Sequence, residues 1–261
     1  MKALSIAATG MDAQQTRVAV ISNNLANMNT TAYATRRAEF TDLIYQVNKP
    51  SGASAAADGS VVPEGVHLGL GVRTAAVSMD LSQGTLIQTS NDLDLAIEGQ
   101  GYFELLLPDG RSVYSRAGAF KRTGEGQIVN ADGLQLAGNL TIPQNVQTLT
   151  INSQGEVVAQ FADQPQGQLL GALNLVTFAN NKGLEPLGSG LFQESPASGA
   201  PNIGQPGLQG FGTLRQGYLE ESNVDVVSQI AELIEAQRGY ELNSKVMTAA
   251  DQMLGAATNI R

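Results

Sequence analysis

The two ends of the chain carry heptad patterns, and a long segment between them reads as β-structure. Near the start, Leu4, Met11, Val18 and Leu25 recur at intervals of seven, followed three places later by Ala7, Gln14, Ile21 and Met28. That is the a/d spacing of a helix–helix seam with one polar interruption, at Gln14. Near the end, Val226, Leu233, Tyr240, Met247 and Leu254 form a second seven-spaced line. Ala236, Ala250 and Ala257 flank it, and Ile230 and Ile234 widen it. The spacing predicts helices over residues 1–29 and 223–258. The small alanines let a partner helix approach closely. Ser222 followed by Asp225 forms a capping-box-like start to the last helix, with Asn223 as an alternative cap, and a negative Asp225 suits the helix dipole. Seams at both extremes are built to bring the chain ends together, which turns the middle into an insertion, and they also suit association with other copies.

The competing reading packs each helix on the β body as an ordinary amphipathic helix. The narrow, sustained stripe and its placement at both extremes favour the seam. Isolated helices of this length are marginal in water, so the termini are expected to fray in the monomer and to become ordered against partners.

A chain of 261 residues can bury a real core in one or two domains. Its net charge of −9 argues against nucleic acid, since a phosphate backbone needs a basic surface. The basic pair Arg36–Arg37 reads as a solvated patch. The absence of cysteine excludes disulfides and thiolate metal sites. It also suits a chain threaded unfolded through a secretion channel. No stretch approaches the ~18–20 apolar residues of a membrane span. After Met1-Lys2-Ala3-Leu4 the apolar run is broken by Thr9, Gly10, Asp12, Gln14 and Gln15, so export is expected without a cleaved Sec signal.

Along the middle, the Asn-dense stretch 22–33 predicts the end of the first helix. Phe40, Leu43, Ile44 and Tyr45 suggest a short packed element over 37–46. Residues 48–65 are low in complexity and read equally as a flexible linker or as a loop ordered against neighbouring subunits. From residue 66 onward strand signals are frequent: 72–79 and 93–97 alternate, and 102–107 with 111–116 around Pro108-Asp109-Gly110 read as a hairpin. Residues 148–152 and 156–161 form another pair, and 169–178 a further strand. Residues 195–212 read as a turn-rich return path, and 216–220 lead into the last helix. Short strands punctuated by Gly and Asp predict a mainly antiparallel all-β insertion.

Little supports catalysis. His67 is the only histidine, so no histidine cluster or triad forms around it. Gly69-Leu70-Gly71 and Gly99-Gln100-Gly101 lack the continuation of a nucleotide-binding fingerprint and read as strand-end turns. There is no P-loop lysine. Asp92 and Asp94 leave a paired-carboxylate hydrolase, or a module acting on cell-wall glycans, as the competing class. No catalytic residue, cofactor, metal or small-molecule substrate is expected.

Several blocks bear a family resemblance. Ser22-Asn23-Asn24-Leu25-Ala26-Asn27-Met28-Asn29-Thr30 resembles the N-terminal signature of bacterial flagellar rod and hook proteins. Gln83-Gly84-Thr85-Leu86, Asp94–Phe103 and Tyr114–Phe120 resemble the central blocks of the same family. Gln216–Asp225, which contains Ser222 and Asn223, and Glu235–Lys245 resemble its C-terminal region. The blocks occur in order over nearly the whole chain. The length and the 46–65 insertion resemble the distal-rod branch more than the shorter proximal rod proteins or the larger hook protein. The chain departs from the family at Thr31-Ala32-Tyr33-Ala34, where a Gly-aromatic-Lys run is common, which bears on the local turn geometry.

The resemblance implies an α+β fold in which the terminal helices pair as a coiled-coil-like axial domain (1–35 and 218–261). A connector (36–95 and 206–217) would carry the long loop, and 96–205 would form a β-rich outer domain. It implies a drive-shaft subunit that polymerises helically and transmits torque from motor to hook. The implied partners are other copies, the proximal rod and hook proteins, the surrounding basal-body rings and the flagellar export apparatus. The implied location is the basal body, in a rod spanning the periplasm. In that picture the assembly residues are Leu4, Met11, Val18, Ile21, Leu25, Met28, Val226, Ile230, Leu233, Tyr240, Met247 and Leu254.

Overall fold

The computed structural model describes residues 2–49, 64–138, 140–161 and 164–259. The chain divides into two compact units, one of Met1–Ala26, Arg36–Met79 and Asp225–Arg261, the other of Asn27–Thr35 and Asp80–Val224. The expected α+β architecture is present, with a helix at each end and antiparallel strands between them.

In the first unit, helix α1 spans Lys2–Ala26 and helix α2 spans Val226–Asn259. Asp225 caps α2: its Oδ1 accepts from the Val227 N–H at 3.1 Å and its Oδ2 from the Ser228 hydroxyl at 2.6 Å. These hydrogen bonds, the Ser228 one foremost, hold its carboxyl below the usual carboxylate range. Asp225 therefore starts the helix by itself, which corrects the predicted pairing with Ser222 and the alternative cap at Asn223. The unit also contains a long antiparallel ribbon. Arg36–Asp42 pairs with Val72–Met79, and Tyr45–Lys49 pairs with Val66–Gly69. Hydrogen bonds from Leu43 N to the Gly71 carbonyl and from Leu70 N to the Ile44 carbonyl join the two ladders. The expected packed element at 37–46 is thus half of a two-stranded ribbon. Ile44 is 81 % exposed and Tyr45 54 %, because two strands cannot bury both of their own faces. Of the predicted 48–65 loop, residues 50–63 lie outside the described residues.

The second unit is all β. A seven-stranded sheet runs in the order Glu185–Gly188, Leu191–Gln193, Ser112–Ser115, Phe103–Leu106, Gln135–Leu136, Ile128–Val129 and Lys121–Arg122. A three-stranded sheet joins Val146–Ile151, Glu156–Phe161 and Gln164–Ala172. The predicted hairpin is present, with Phe103 opposite Ser115 and Leu106 opposite Ser112. The pair around Ser153-Gln154-Gly155 is also present. Residues 169–178 form two strands instead of one. The Leu173 N–H bonds to the Gly155 carbonyl, and Leu175–Thr177 then pairs with Asn202–Gly204, a strand inside the predicted return path. Leu95, Ala96 and Ile97 are buried in succession, so the expected alternation is lost where both faces of the strand are covered. The core gathers Phe103, Leu105, Val113, Phe120, Val157 and Leu175 with their neighbours. Phe103 and Phe120 meet edge-to-face at 5.1 Å.

Two polar devices hold this unit. Arg116 Nε donates to Glu220 Oε2 at 2.6 Å, with the two side chains 15 % and 5 % exposed. Its Nη2 also donates to the Gly99 carbonyl, and Glu220 Oε1 accepts from the Gly84 N–H. Asn223 ties three segments together. Its Oδ1 accepts from the Thr35 N–H and hydroxyl at 2.7 Å, and its Nδ2 donates to the Asp80 and Ser82 carbonyls at 2.9 Å. The departure at Ala32 has a backbone cost. Ala32 sits at φ +54° in a turn closed by the Tyr33 N–H on the Thr30 carbonyl, a position that favours glycine.

Three outcomes follow. Ala32→Gly should raise the chemical-denaturation stability by about 1 kcal/mol through relief of the left-handed backbone; an unchanged or lower midpoint would contradict the strain. Arg116→Ala should cost roughly 3–5 kcal/mol, because it leaves the Glu220 carboxylate buried and unpaired. The folded-state pKa of Asp225 is depressed, so its capping contribution is complete above the ordinary carboxylate pKa. That contribution is lost as pH falls through the folded value. Protection factors of the amides in the first turn of α2, corrected for intrinsic exchange, should therefore fall in acid and stay constant near neutrality.

Candidate assembly interface

Helices α1 and α2 pair antiparallel. Gly10 meets Asn243, Gln14 meets Gly239, Arg17 bonds Glu235 at 3.0 Å, and Asn24 Nδ2 donates to Gln229 Oε1 at 2.9 Å. Contact positions 7, 10, 14, 17, 21 and 24 on α1 alternate in steps of three and four, the spacing of a helix seam. Opposite them, Gln229, Ala236 and Ala250 are the buried residues of α2. The contact is made mainly of small and polar side chains. A Cβ on Gly239 would lie 3.1 Å from Gln14 Cδ, and one on Gly10 would lie 2.9 Å from Asn243 Nδ2, so both glycines bring the backbones close. Gln14 Oε1 is buried without a hydrogen-bond partner among the described residues. Small residues bury little apolar area, at about 0.8 kcal/mol per methylene, so this pairing contributes modestly. The exposed Arg17–Glu235 pair adds less than about 1 kcal/mol.

The seam residues read from the sequence divide into groups. Ile21 is buried at the contact with 2 % exposure, on the same line as Ala7 and Gln14. Leu4, Met11, Val18 and Leu25 flank that line and are half-buried, and Met28 lies beyond the helix end and is exposed. On α2, Val226, Leu233 and Met247 are half-buried, whereas Ile230, Tyr240 and Leu254 are 40–45 % exposed. The alanine line at 236 and 250 thus occupies the centre, and the large side chains stand beside it. Ile230 and Ile234, read from the sequence as widening the seam, belong to an exposed stripe along α2 that continues through Val227, Leu242, Val246 and Met253, which the sequence reading does not single out. The ribbon adds Ile44, Val47, Val66 and Leu68, also exposed. Apolar surface of this extent marks an interaction face.

Among the motif residues, Asn24 is 1 % exposed and acts as a hub. Its Oδ1 accepts from the Arg36 N–H at 2.9 Å while its Nδ2 serves both the Arg36 carbonyl and Gln229. Asn23 lines a shallow groove beside Val20 and Arg36. Leu25 and Ala26 complete the last turn of α1, and Asn27 accepts from the Thr30 hydroxyl through its side chain. Asn223 is the clamp described above, and the Ser222 hydroxyl is buried without a partner among the described residues. The signal for Asn24 was present in the sequence as a polar residue at a helix position that the apolar pattern skips.

Comparison with known proteins agrees with this arrangement. Residues 4–33 match the family described as flagella basal body rod protein. Residues 96–159 match the D1 domain of flagellar hook protein FlgE/F/G, and residues 215–260 match the C-terminal region of flagellar basal body rod FlgEFG proteins. The chain is 51 % identical over 253 residues to the flagellar basal-body rod protein FlgG of Agrobacterium fabrum, covering 97 % of each chain. It is 49 % identical to the FlgG of Caulobacter vibrioides over the full length of both chains. It is 36 % identical to the FlgG of Bacillus subtilis, covering 100 % of this chain and 99 % of the relative. The two matched terminal regions are those that supply α1 and α2, and the chain belongs to the FlgG family of flagellar basal-body rod proteins, which are structural subunits.

Proposed function

We propose that this chain is the non-catalytic subunit of the distal part of the flagellar rod, a drive shaft that transmits torque from motor to hook. The observation that carries the reading is the exposed aliphatic stripe on α2 beside a helix pair held by small residues. A soluble monomer gains nothing from such a face, whereas a helical polymer buries it against neighbouring copies. In this reading residues 1–35 and 218–261 form the axial layer, 36–95 and 206–217 a connector, and 96–205 an outer domain. Leu4, Met11, Val18, Leu25, Leu233, Tyr240, Met247 and Leu254 pack between copies, as do the ribbon side chains. The partners are the proximal rod and hook proteins, the basal-body rings and the export apparatus. The chain reaches the growing tip unfolded, and its thin α1–α2 seam tightens on assembly.

A second reading within the family is another axial protein, of the proximal rod or the hook. Basal bodies from a deletion strain, imaged by electron microscopy, separate the two. Loss of the distal rod with the proximal rod retained supports the first reading, and a missing proximal rod or hook alone supports the second.

Two measurements test the interface. Ile230→Glu with Ile234→Glu should shift monomer stability by less than about 0.5 kcal/mol, because both sites are exposed. The same change should abolish polymers seen by sedimentation and negative-stain imaging; polymers of normal length would sink the assignment of this face. Removal of residues 1–30 or 224–261 should leave a folded, soluble β unit that does not polymerise. Far-UV circular dichroism of the dilute full-length monomer should show less helix than the polymer, and equal helicity would refute folding on assembly.

A further inference from the structure

The strand Arg36–Asp42 pairs with Val72–Met79 along one edge, and no other described strand pairs with it. In an antiparallel ladder hydrogen-bonded and non-hydrogen-bonded pairs alternate. The Thr35 carbonyl accepts from the Asp80 N–H at 2.8 Å, so Thr35, Arg37 and Glu39 turn their backbone groups toward the ladder. Past the register shift at Glu39/Phe40, the Leu43 N–H bonds to the Gly71 carbonyl, which keeps the same alternation. Arg36, Ala38 and Phe40 therefore turn theirs outward. At Arg36 a side chain stands in for a strand: the Asn24 amide accepts from the Arg36 N–H at 2.9 Å and donates to its carbonyl at 2.8 Å. Ala38 and Phe40 have no such substitute among the described residues. A pocket of about 250 Å³ lies along this stretch, lined by Arg36, Arg37, Ala38 and Phe40 and also by Arg17 of α1 and Glu232 of α2. Arg36 and Arg37 form no ion pair among the described residues, and the partner of Arg17 is the exposed Glu235. The lining thus sets three guanidinium groups against one carboxylate, on a chain whose net charge is −9.

We propose that this edge binds an extended, carboxylate-bearing segment of a partner protein, which continues the strand pairing that Asn24 begins. The segment's backbone exchanges hydrogen bonds with the N–H and carbonyl groups of Ala38 and Phe40, and its carboxylates meet the guanidinium groups. A strand added to an open edge gains affinity from main-chain bonds and specificity from side-chain contacts. Guanidinium–carboxylate bonds are charge-assisted and stronger than neutral ones. Arg36 and Ala38 share the half-buried face of the strand and Arg37 lies on the exposed one, so neighbouring carboxylates on an added strand reach different arginines. A small anion would use the arginines and leave the backbone edge unpaired. The sheet edges of the chain itself do not supply such a segment. Lys121–Arg122, Val146–Ile151 and Gln164–Ala172 carry no carboxylate, and Glu185 is followed by Pro186, which has no N–H to pair. The site uses a backbone edge rather than the ribbon side chains, so it stands independently of contacts between copies of the chain.

Titration of the isotope-labelled full-length monomer with the peptide acetyl-Val-Glu-Glu-Val-amide, followed through amide shifts, tests the site. Saturable shifts at Ala38 and Phe40 are expected, with a Kd on the order of 1 mM, and both amides should gain protection from exchange. Replacing both Glu of the peptide by Gln should weaken binding about tenfold. Methylating the backbone nitrogens of the two central residues should abolish it, because the added strand then has no donors. Arg37→Gln changes an exposed side chain; it should weaken the Glu peptide several-fold and leave the Gln peptide unchanged. No saturable shift, equal binding of the Glu and Gln peptides, or undiminished binding of the methylated peptide would overturn the proposal. So would sulfate alone reproducing the shifts and the exchange protection, which would reduce the site to an anion pocket. The same shifts on concentrating the protein without peptide would place a second copy at the edge and overturn the partner protein as its occupant.

Discussion

The close antiparallel contact of α1 with α2 is the constraint on which the architecture depends. It joins residues at opposite extremes of the chain, and it works only because Ala7, Gly10, Gly239 and Ala250 are small. A Cβ at Gly239 would sit 3.1 Å from Gln14 Cδ, so the Gln14 side chain would have to give by a few tenths of an ångström. Small residues make a close seam and a weak one, because little apolar area leaves water. Asn24, Gln229 and Asn243 add directional contacts to the seam, and polar groups of this kind fix register at a cost in stability.

The first unit therefore contrasts with the second. The β unit owns a core of Phe103, Leu105, Phe120, Val157 and Leu175, together with a buried ion pair whose hydrogen bonds are satisfied. The helical unit buries Ile21 between its helices but leaves many large aliphatic side chains on the surface, on α2 and along the two-stranded ribbon. A family of rod subunits gives that contrast a purpose. The β unit has its own core, while surfaces that need neighbours reserve their free energy for the polymer.

Much of the fold was legible in the sequence. The hairpin at 102–116 announced itself through alternation around Pro108-Asp109-Gly110, and the Asn-rich stretch marked the end of α1, because those signals are local. The split at Leu173 was not legible, since it depends on a hydrogen bond to Gly155, eighteen positions away. Nor was the cap of α2: Ser222, Asn223 and Asp225 are all good caps by type, and only the three-dimensional demand of Thr35, Asp80 and Ser82 on Asn223 decides among them. Heptad spacing located the seams but left the register open to within one flank, because Ala, Gly and Gln carry almost no hydrophobic signal.

The sequence by itself determined that the chain has helices at its ends, β-strands in its middle and the ordered blocks of a flagellar rod protein, since periodicity and turn chemistry are written residue by residue. Only the tertiary structure decided that small and polar residues occupy the centre of the helix pair, that the aliphatic stripe of α2 stays exposed, and that Asn24 joins Gln229 to the strand edge at Arg36. Each of those depends on which faces meet across distant parts of the chain, and no local pattern encodes such a meeting.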